Sequence, residues 1–313
     1  NYQKNGVDVR DAGSSAEIGY NRIFGMGPTA VTAQNGVVVL GIATASVRHN
    51  FVAKNIYTVP GTESTGILPY QSGQVVTDRN TVLYNNVDIY MFQAAAGSKT
   101  TNNYVRASTD DGVFVNQSNG VWVAQNKIEH NGGPGIGVHN ALNNVLDDNK
   151  VDDNDGSGIL LDDGDNNMVE DNKVRQNGTA GADLTDGIRV EATSTGNTIE
   201  ENRLKDNVTH DCHDATLVPL NDWIDNHGQT SFPANLCHKN DDHEDEVDEQ
   251  EYAQWDMSTA FGWDANYAWY SEFGEAADFD WVAAYAEIDT ESLLQLVPAV
   301  TGAVGRATAS PSP

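Results

Sequence analysis

Along most of the chain, short runs of apolar and β-branched residues alternate with polar ones and are cut off within a few positions by Asn, Asp or Gly. Segments such as IGVH (136–139) and NKVDD (149–153) carry the period-two alternation of a half-buried strand and are too short for helices. Asn, Asp and Gly supply the turn chemistry and left-handed geometry that a sharp corner needs. The pattern therefore predicts many short strands joined by tight corners.

The strands repeat. An Asn preceding Lys or Arg recurs at Asn126, Asn149, Asn172 and Asn202, and a second Asn five residues later recurs at Asn131, Asn154, Asn177 and Asn207. A third column is Gly followed by a β-branched residue, at Gly112, Gly135, Gly158 and Gly187. Extended upstream, the frame places Asn21, Asn50, Asn80 and Asn103 in the first column and Gly36, Gly66 and Ile89 in the third. The steps between first-column residues are 29, 30, 23, 23, 23, 23 and 30, which gives about eight units from Asn21 to Asn207. One such unit cannot bury its apolar side. Stacked at the strand spacing of roughly 4.8 Å, successive units bury a continuous core and pair each backbone rung with the next. Identical Asn residues in register can then hydrogen-bond along the stack. The expected fold is all-β, a parallel β-helix in which one repeat is one coil.

The Asn, Gly-Ile and Asn-Lys-Val columns from about Asn21 to Asn207 resemble the right-handed parallel β-helix proteins of the pectin-lyase-like superfamily. The following segment, DCHDATLVPLNDWIDNHGQTSFPANLC, resembles a Cys-bounded stretch that closes the solenoid in secreted bacterial members. The resemblance implies the fold far more than an activity, because this architecture carries lyases, hydrolases, epimerases, depolymerases and non-catalytic proteins. The TDDG around Asp110 and Asp111 is similar to the paired aspartates of polygalacturonases, but no Gly-His-Gly or Arg-Ile-Lys follows. The Tyr-Gly-Phe-Asp-Pro-His-Asp word of alginate epimerases is absent too, so no catalytic residue carries over from either family.

Alternation decides which side chains meet water. Positions one and three after the column Gly are apolar in nearly every coil and point inward. Positions two and four form exterior columns: Leu68, Met91, Phe114, Gly137, Leu160 and Arg189 in one, Tyr70, Gln93, Asn116, His139, Asp162 and Glu191 in the other. His139, Asp162, Arg189 and Glu191 thus fall on three successive rungs as candidate catalytic residues. Two carboxylates about 5 Å apart suit a retaining hydrolase, while Arg189 neutralising a uronate and His139 taking a proton suit β-elimination. Tyr70, Gln93, Phe114 and Asn116 are the candidate sugar-binding residues. The corners from Asn55 to Gly66 and from Asn177 to Gly187 are lengthened, and the loops IYTVPGTEST and GTAGADLTD are expected to flank a trough on this face. Lys127, Lys150, Lys173 and Arg203 form a solvated column offset by Asp148, Asp171 and Glu201.

Charge narrows the partners. Seventeen Lys and Arg face 46 Asp and Glu among 313 residues, a formal charge of -29, which argues against nucleic acid and anionic membranes. There is no long apolar run to span a membrane, and the first residue is Asn, as a processed mature chain would give. The acidic corners DDNDGSG and LDDGDNN offer carboxylates and carbonyls to Ca²⁺ without matching a known calcium loop. Cys212 and Cys237 lie in a turn-rich segment and read as one disulfide, which points to an oxidising, secreted or cell-envelope setting. The rival reading is a zinc or copper site, since His210, His213 and His238 crowd the two cysteines.

The expected organisation is an N-terminal cap at 1–20, the solenoid at 21–210, a disulfide-bounded cap at 211–239 with Trp223 and Phe232 covering the end, and an acidic aromatic tail at 240–313. The leading functional expectation is an exported protein that binds, and as a lyase or hydrolase processes, a polysaccharide. The alternative is a non-catalytic surface or assembly protein, with the solenoid as a rigid spacer and the tail making contacts, including self-association.

Overall fold

The computed structural model describes residues 2–179, 184–216 and 218–238. The tail at 240–313 lies outside the described residues. Among the described residues the strands stack into three sheets of ten, nine and eight members, and every pairing is parallel. As far as Cys212–Asp214 each sheet takes every third strand in chain order, so one coil contributes one strand to each; the last strand, Ser231–Phe232, follows after two. This is a parallel β-helix, and no α-helix occurs among the described residues.

The first sheet runs from Asn5–Arg10 through Val87–Phe92, Val113–Asn116, Ile136–His139, Ile159–Asp162 and Ile188–Val190 to Cys212–Asp214 and Ser231–Phe232. Residues 1–20 supply its first strand and the first strand of the second sheet, Ser15–Gly19. Inward columns are β-branched or Leu: Val37, Ile67, Ile89, Val113, Ile136, Ile159 and Ile188 are all fully buried, as are Val52, Val82, Val105, Ile128, Val151, Val174 and Leu204 from the third sheet. Such residues fit a pleated surface buried on its inner side.

The first Asn column is an amide ladder between the second and third sheets. Asn50, Asn80, Asn103, Asn126, Asn149, Asn172 and Asn202 each donate through Nδ2 to Oδ1 of the Asn one coil on, at 2.9–3.0 Å. That Oδ1 also accepts the backbone N–H of the donor residue, so each side chain closes two rungs. The left-handed corner, however, falls on the residue before each ladder Asn. His49, Arg79, Asn102, Gln125, Asp148, Asp171 and Glu201 all have φ between 50° and 56°. The second ladder runs Asn131, Asn154, Asn177, Asn207 and ends on the Asp211 carboxylate. Farther upstream, Asn55 donates to Asn85 and Asn85 ends on buried Asp88.

At the C-terminal end Cys212 and Cys237 form the disulfide, with Cys212 facing the core. Trp223 packs against the core and its Nε1 donates to Asp214. Phe232 departs from expectation. It lies on the outer face of the first sheet, 55% exposed, because the Cys212–Ser231 pairing turns the next residue outward. In the basic column Lys127 pairs with Glu129 at 2.9 Å and Lys150 with Asp152 at 3.5 Å, since positions i and i+2 share one face of a strand, whereas Arg175 and Lys205 stand two residues after Lys173 and Arg203.

Candidate functional site

The outer face of the first sheet carries two columns. In the first, register sets Leu68, Tyr90, Phe114, Gly137, Leu160, Arg189 and His213 in successive coils. In the second, Tyr70, Phe92, Asn116, His139 and Asp162 follow one another. Coil four corrects the sequence frame by one residue. Ile89 pairs with Ile67 and Val113, so it is an inward residue and Asp88 takes the place of the column Gly. Met91 is fully buried, Tyr90 and Phe92 face out, and Gln93 moves to the following corner with φ of 49°. The corner before this strand, Asn85 to Asp88, is one residue shorter than Asn131 to Gly135, and the coil regains that residue at the next corner. The 23-residue period therefore hides the slip, which inverts the two faces of the strand.

The corrected register assembles an aromatic floor. Tyr70 stacks on Phe92 with ring centroids 5.0 Å apart, Phe92 meets Tyr90 edge-on at 6.0 Å, and Tyr90 stacks on Phe114 at 4.9 Å. Tyr70 is 40% exposed and the other three are half-buried. Asn116 Nδ2 donates to the Tyr90 hydroxyl at 3.0 Å. Gln71, Gln93 and Gln117 form an exposed amide run at the adjoining corner, with 2.8 Å bonds between neighbours.

Three carboxyl groups stand beside this floor. Glu63 comes from the lengthened corner between Asn55 and Gly66, and Asp110 and Asp111 from the corner before Val113–Asn116. Crowding by protein, a hydrogen bond with Asp110 and the Asp110 charge push Glu63 up to about 7. Burial, with the charges of Asp110 and Glu63, raises Asp111 well above the usual carboxylate range. Burial also raises the Tyr90 hydroxyl against the Asn116 hydrogen bond, and the Glu63 and Asp111 charges add to it. Two glycines of the next coil make room for this group. A Cβ on Gly133 would meet Asp110 Oδ1 at 2.8 Å and Asp111 Oδ1 at 3.0 Å, so both oxygens converge on one point. A Cβ on Gly137 would collide with Asp111 Oδ2 and touch Phe114 at 3.2 Å, so the carboxyl lies over Gly137. The sequence noted the Asp pair without a role for it, and nothing in the text links Glu63 to it across 47 residues.

The four predicted catalytic residues fall on the same face as two pairs. His139 Nδ1 lies 2.9 Å from Asp162 Oδ2, and Arg189 Nε donates to Glu191 Oε1 at 2.6 Å. The other contacts of Arg189 lead away from His139 and Asp162, to Asp186 Oδ2 at 2.9 Å and His213 Nδ1 at 3.2 Å. Asp186 is fully buried and also faces His210 Nδ1 and His213 Nδ1, each at 3.0 Å. Burial alone would raise this carboxyl, but the hydrogen bonds from His213 and Arg189, the His213 charge and His210 hold it below the ordinary range. Phe232 covers both rings, with centroids 5.8 Å from His210 and 5.3 Å from His213. His210 and His213, read beforehand as neighbours of the cysteines, therefore converge on Asp186.

Residues 91–231 match the protein family described as Right handed beta helix region. The described residues fold as a right-handed parallel β-helix, the architecture to which the Asn and Gly columns pointed. No curated protein sequence matches it. Several solved structures are similar. The DFA-IIIase of Arthrobacter chlorophenolicus A6 shares 15% identity with a TM-score of 0.48, over 61% of this chain and 47% of its own. The A-module of an Azotobacter vinelandii mannuronan C-5 epimerase shares 19% with a TM-score of 0.43, over 65% of this chain and 61% of its own. The enzymatically active domain of bacteriophage CBA120 tailspike protein 2 shares 12% with a TM-score of 0.48, over 72% and 42%. The chain spans less than two thirds of the length of each of these structures.

Proposed function

We propose that this chain binds an extended polysaccharide along the outer face of the first sheet and hydrolyses it beside Glu63, Asp110 and Asp111. The observation that carries this reading is the aromatic floor Tyr70–Phe92–Tyr90–Phe114 running up to three carboxyl groups, one of them at about 7. Sugar rings stack on aromatic faces through their C–H edges, and glycosidic cleavage needs a protonated carboxyl together with an ionised one. Near neutral pH Glu63 is partly protonated and can donate to the leaving oxygen, and a neighbouring Asp carboxyl stands beside it to activate water or attack the anomeric carbon. Asn116 and the Gln71–Gln93–Gln117 run offer amides to sugar hydroxyls. His139 with Asp162, and Arg189 with Glu191, would contact sugar units farther along the face. Hydrolysis is favoured over β-elimination because the Arg189 guanidinium is already held by Asp186 and Glu191, leaving it poorly placed to neutralise a uronate. The disulfide, and the lack among the described residues of a helix long and apolar enough to cross a membrane, fit an exported protein.

The test is incubation with a broad polysaccharide panel, scoring new reducing ends and unsaturated ends separately, alongside binding to the same oligosaccharides. Reducing ends without unsaturation are expected, abolished in Glu63→Gln and Asp111→Asn and reduced in His139→Ala and Asp162→Ala. Wild-type protein that neither binds nor cleaves any glycan in the panel would overturn the reading.

A further inference from the structure

We infer that Asp186, His210 and His213 form a binding site for one divalent transition-metal ion of the zinc class. The three side chains come from two adjacent coils. Asp186 ends the corner before Ile188–Val190, and His210 and His213 bracket the start of Cys212–Asp214 in the coil above. Their donor atoms lie within 4.8 Å of one another. Each imidazole Nδ1 is 3.0 Å from a different oxygen of the one carboxylate. Two ligands about 2.1 Å from a common tetrahedral ion are roughly 3.4 Å from each other, so an outward shift of each ring by a few tenths of an ångström would seat one shared ion. Two neutral imidazoles and a carboxylate are a common donor set for Zn²⁺ and leave a further coordination position open.

Asp186 Oδ2 gathers two basic partners, His213 Nδ1 at 3.0 Å and Arg189 Nη1 at 2.9 Å, and Arg189 Nη1 also lies 3.2 Å from His213 Nδ1. With neutral imidazoles, the Nδ1 lone pairs and the carboxylate would point at one shared ion while Arg189 donates to Oδ2 from outside. The guanidinium does not repel the ion unchecked, because Glu191 lies 2.6 Å from its Nε. Arg189 then acts as an orienting partner of a ligating carboxylate, the usual arrangement around protein metal sites. Asp186 is fully buried and Phe232 shields both rings, so the ligands are pre-positioned and partly desolvated.

The test is titration of the EDTA-stripped, dialysed full chain with Zn²⁺ by calorimetry and with Co²⁺ by visible absorption. One tight equivalent is expected, with the intense Co²⁺ bands of a low-coordinate N/O site. Affinity should fall roughly 100-fold or more in His213→Ala and in Asp186→Asn, beyond the range of changes outside the ligand sphere. His139→Ala and His227→Ala should leave it unchanged. A readout on the wild type guards against misfolded variants: ligation through Nδ1 forces the Nε2–H tautomer, so imidazole ¹⁵N spectra should show two histidines switching to that form on Zn²⁺ addition. Failure to bind Zn²⁺, equal affinity in folded His213→Ala, or retention of Nδ1–H at both rings in the presence of Zn²⁺ would each overturn the proposal. These readouts use metal alone, so they stand apart from the test of glycan processing.

Discussion

Removing one rung of the first amide ladder measures what the repeated Asn contributes. Asn149 is the informative position, being 1% exposed with full rungs on both sides. Its Oδ1 accepts from Asn126 N at 3.0 Å and Asn126 Nδ2 at 2.9 Å, and its Nδ2 donates to Val123 O at 2.8 Å and Asn172 Oδ1 at 3.0 Å. In Asn149→Ala the Asn126 backbone N–H loses its acceptor. Asn126 Nδ2 keeps only its bond to Thr100 O, while Asn172 Oδ1 still receives the backbone N–H of residue 149. At about 1–3 kcal/mol for each buried group left unpaired, the loss is roughly 2–5 kcal/mol. Asn21, on the exposed first rung, donates to Asn50 Oδ1, which keeps the Asn21 backbone N–H when the side chain is removed. Asn21→Ala should therefore cost below about 1 kcal/mol. Urea denaturation followed by circular dichroism gives both values, and amide exchange at Asn126 reports the rung directly. Asn149→Asp sharpens the test, because its second oxygen faces two acceptors. The variant carboxyl has a folded pKa above its unfolded value, so its penalty is present at neutral pH and fades as pH falls toward about 4. It should be less stable than Asn149→Ala at about pH 7 and close that gap on acidification. If Asn149→Ala costs no more than Asn21→Ala, the amides are corner-formers and the energetic role assigned to the ladder is wrong.

Three further outcomes follow from the same geometry. Gly137→Ala places a methyl against the Asp111 carboxyl and Phe114; it should keep the β-helix spectrum, lose about 1–3 kcal/mol in denaturation and abolish glycan processing, and unchanged activity would disprove the position given to Asp111. Glu63 is raised from 4.5 to about 7, so the folded state holds its proton more firmly than the unfolded state; through this group stability falls as pH rises across that interval, and Glu63→Gln should flatten the dependence of Tm on pH there. Reducing the Cys212–Cys237 bond, which closes a 25-residue separation, should lower stability by about 3 kcal/mol while leaving the far-ultraviolet spectrum β-like, measured as Tm with and without reductant.

The periods of 23 and 30 residues made the solenoid readable, because vertical stacking repeats the demand for a particular side chain at each coil. Asn is needed where one side chain must accept from the coil before and donate to the coil after, and few residues do both. The left-handed corner beside it was less legible. Tyr20, Arg79, Gln125 and Glu201 all adopt it, none of them a typical choice, because the backbone bonds and the neighbouring ladder fix the conformation whatever the side chain. Where a coil shortened one corner and lengthened the next, the period survived and the faces inverted, which moved Tyr90 and Phe92 into the floor in place of Met91 and Gln93.

The two chemical centres depart from the repeat at equivalent places. Asp111 and Asp186 each precede a column Gly, where the intervening coils carry Pro134 and Ser157. Around Asp111 the next coil withdraws its side chains at Gly133 and Gly137, and the space fills with carboxyl groups in which burial and neighbouring charge raise Glu63 and Asp111. Around Asp186 the next coil supplies His210 and His213 instead, and the carboxyl is held in its charged form. One backbone position, given small neighbours or basic ones, yields a carboxyl of raised pKa in the first case and an anion that orders two imidazoles in the second. A solenoid can build chemistry in this way, by changing side chains at fixed rungs without changing the fold.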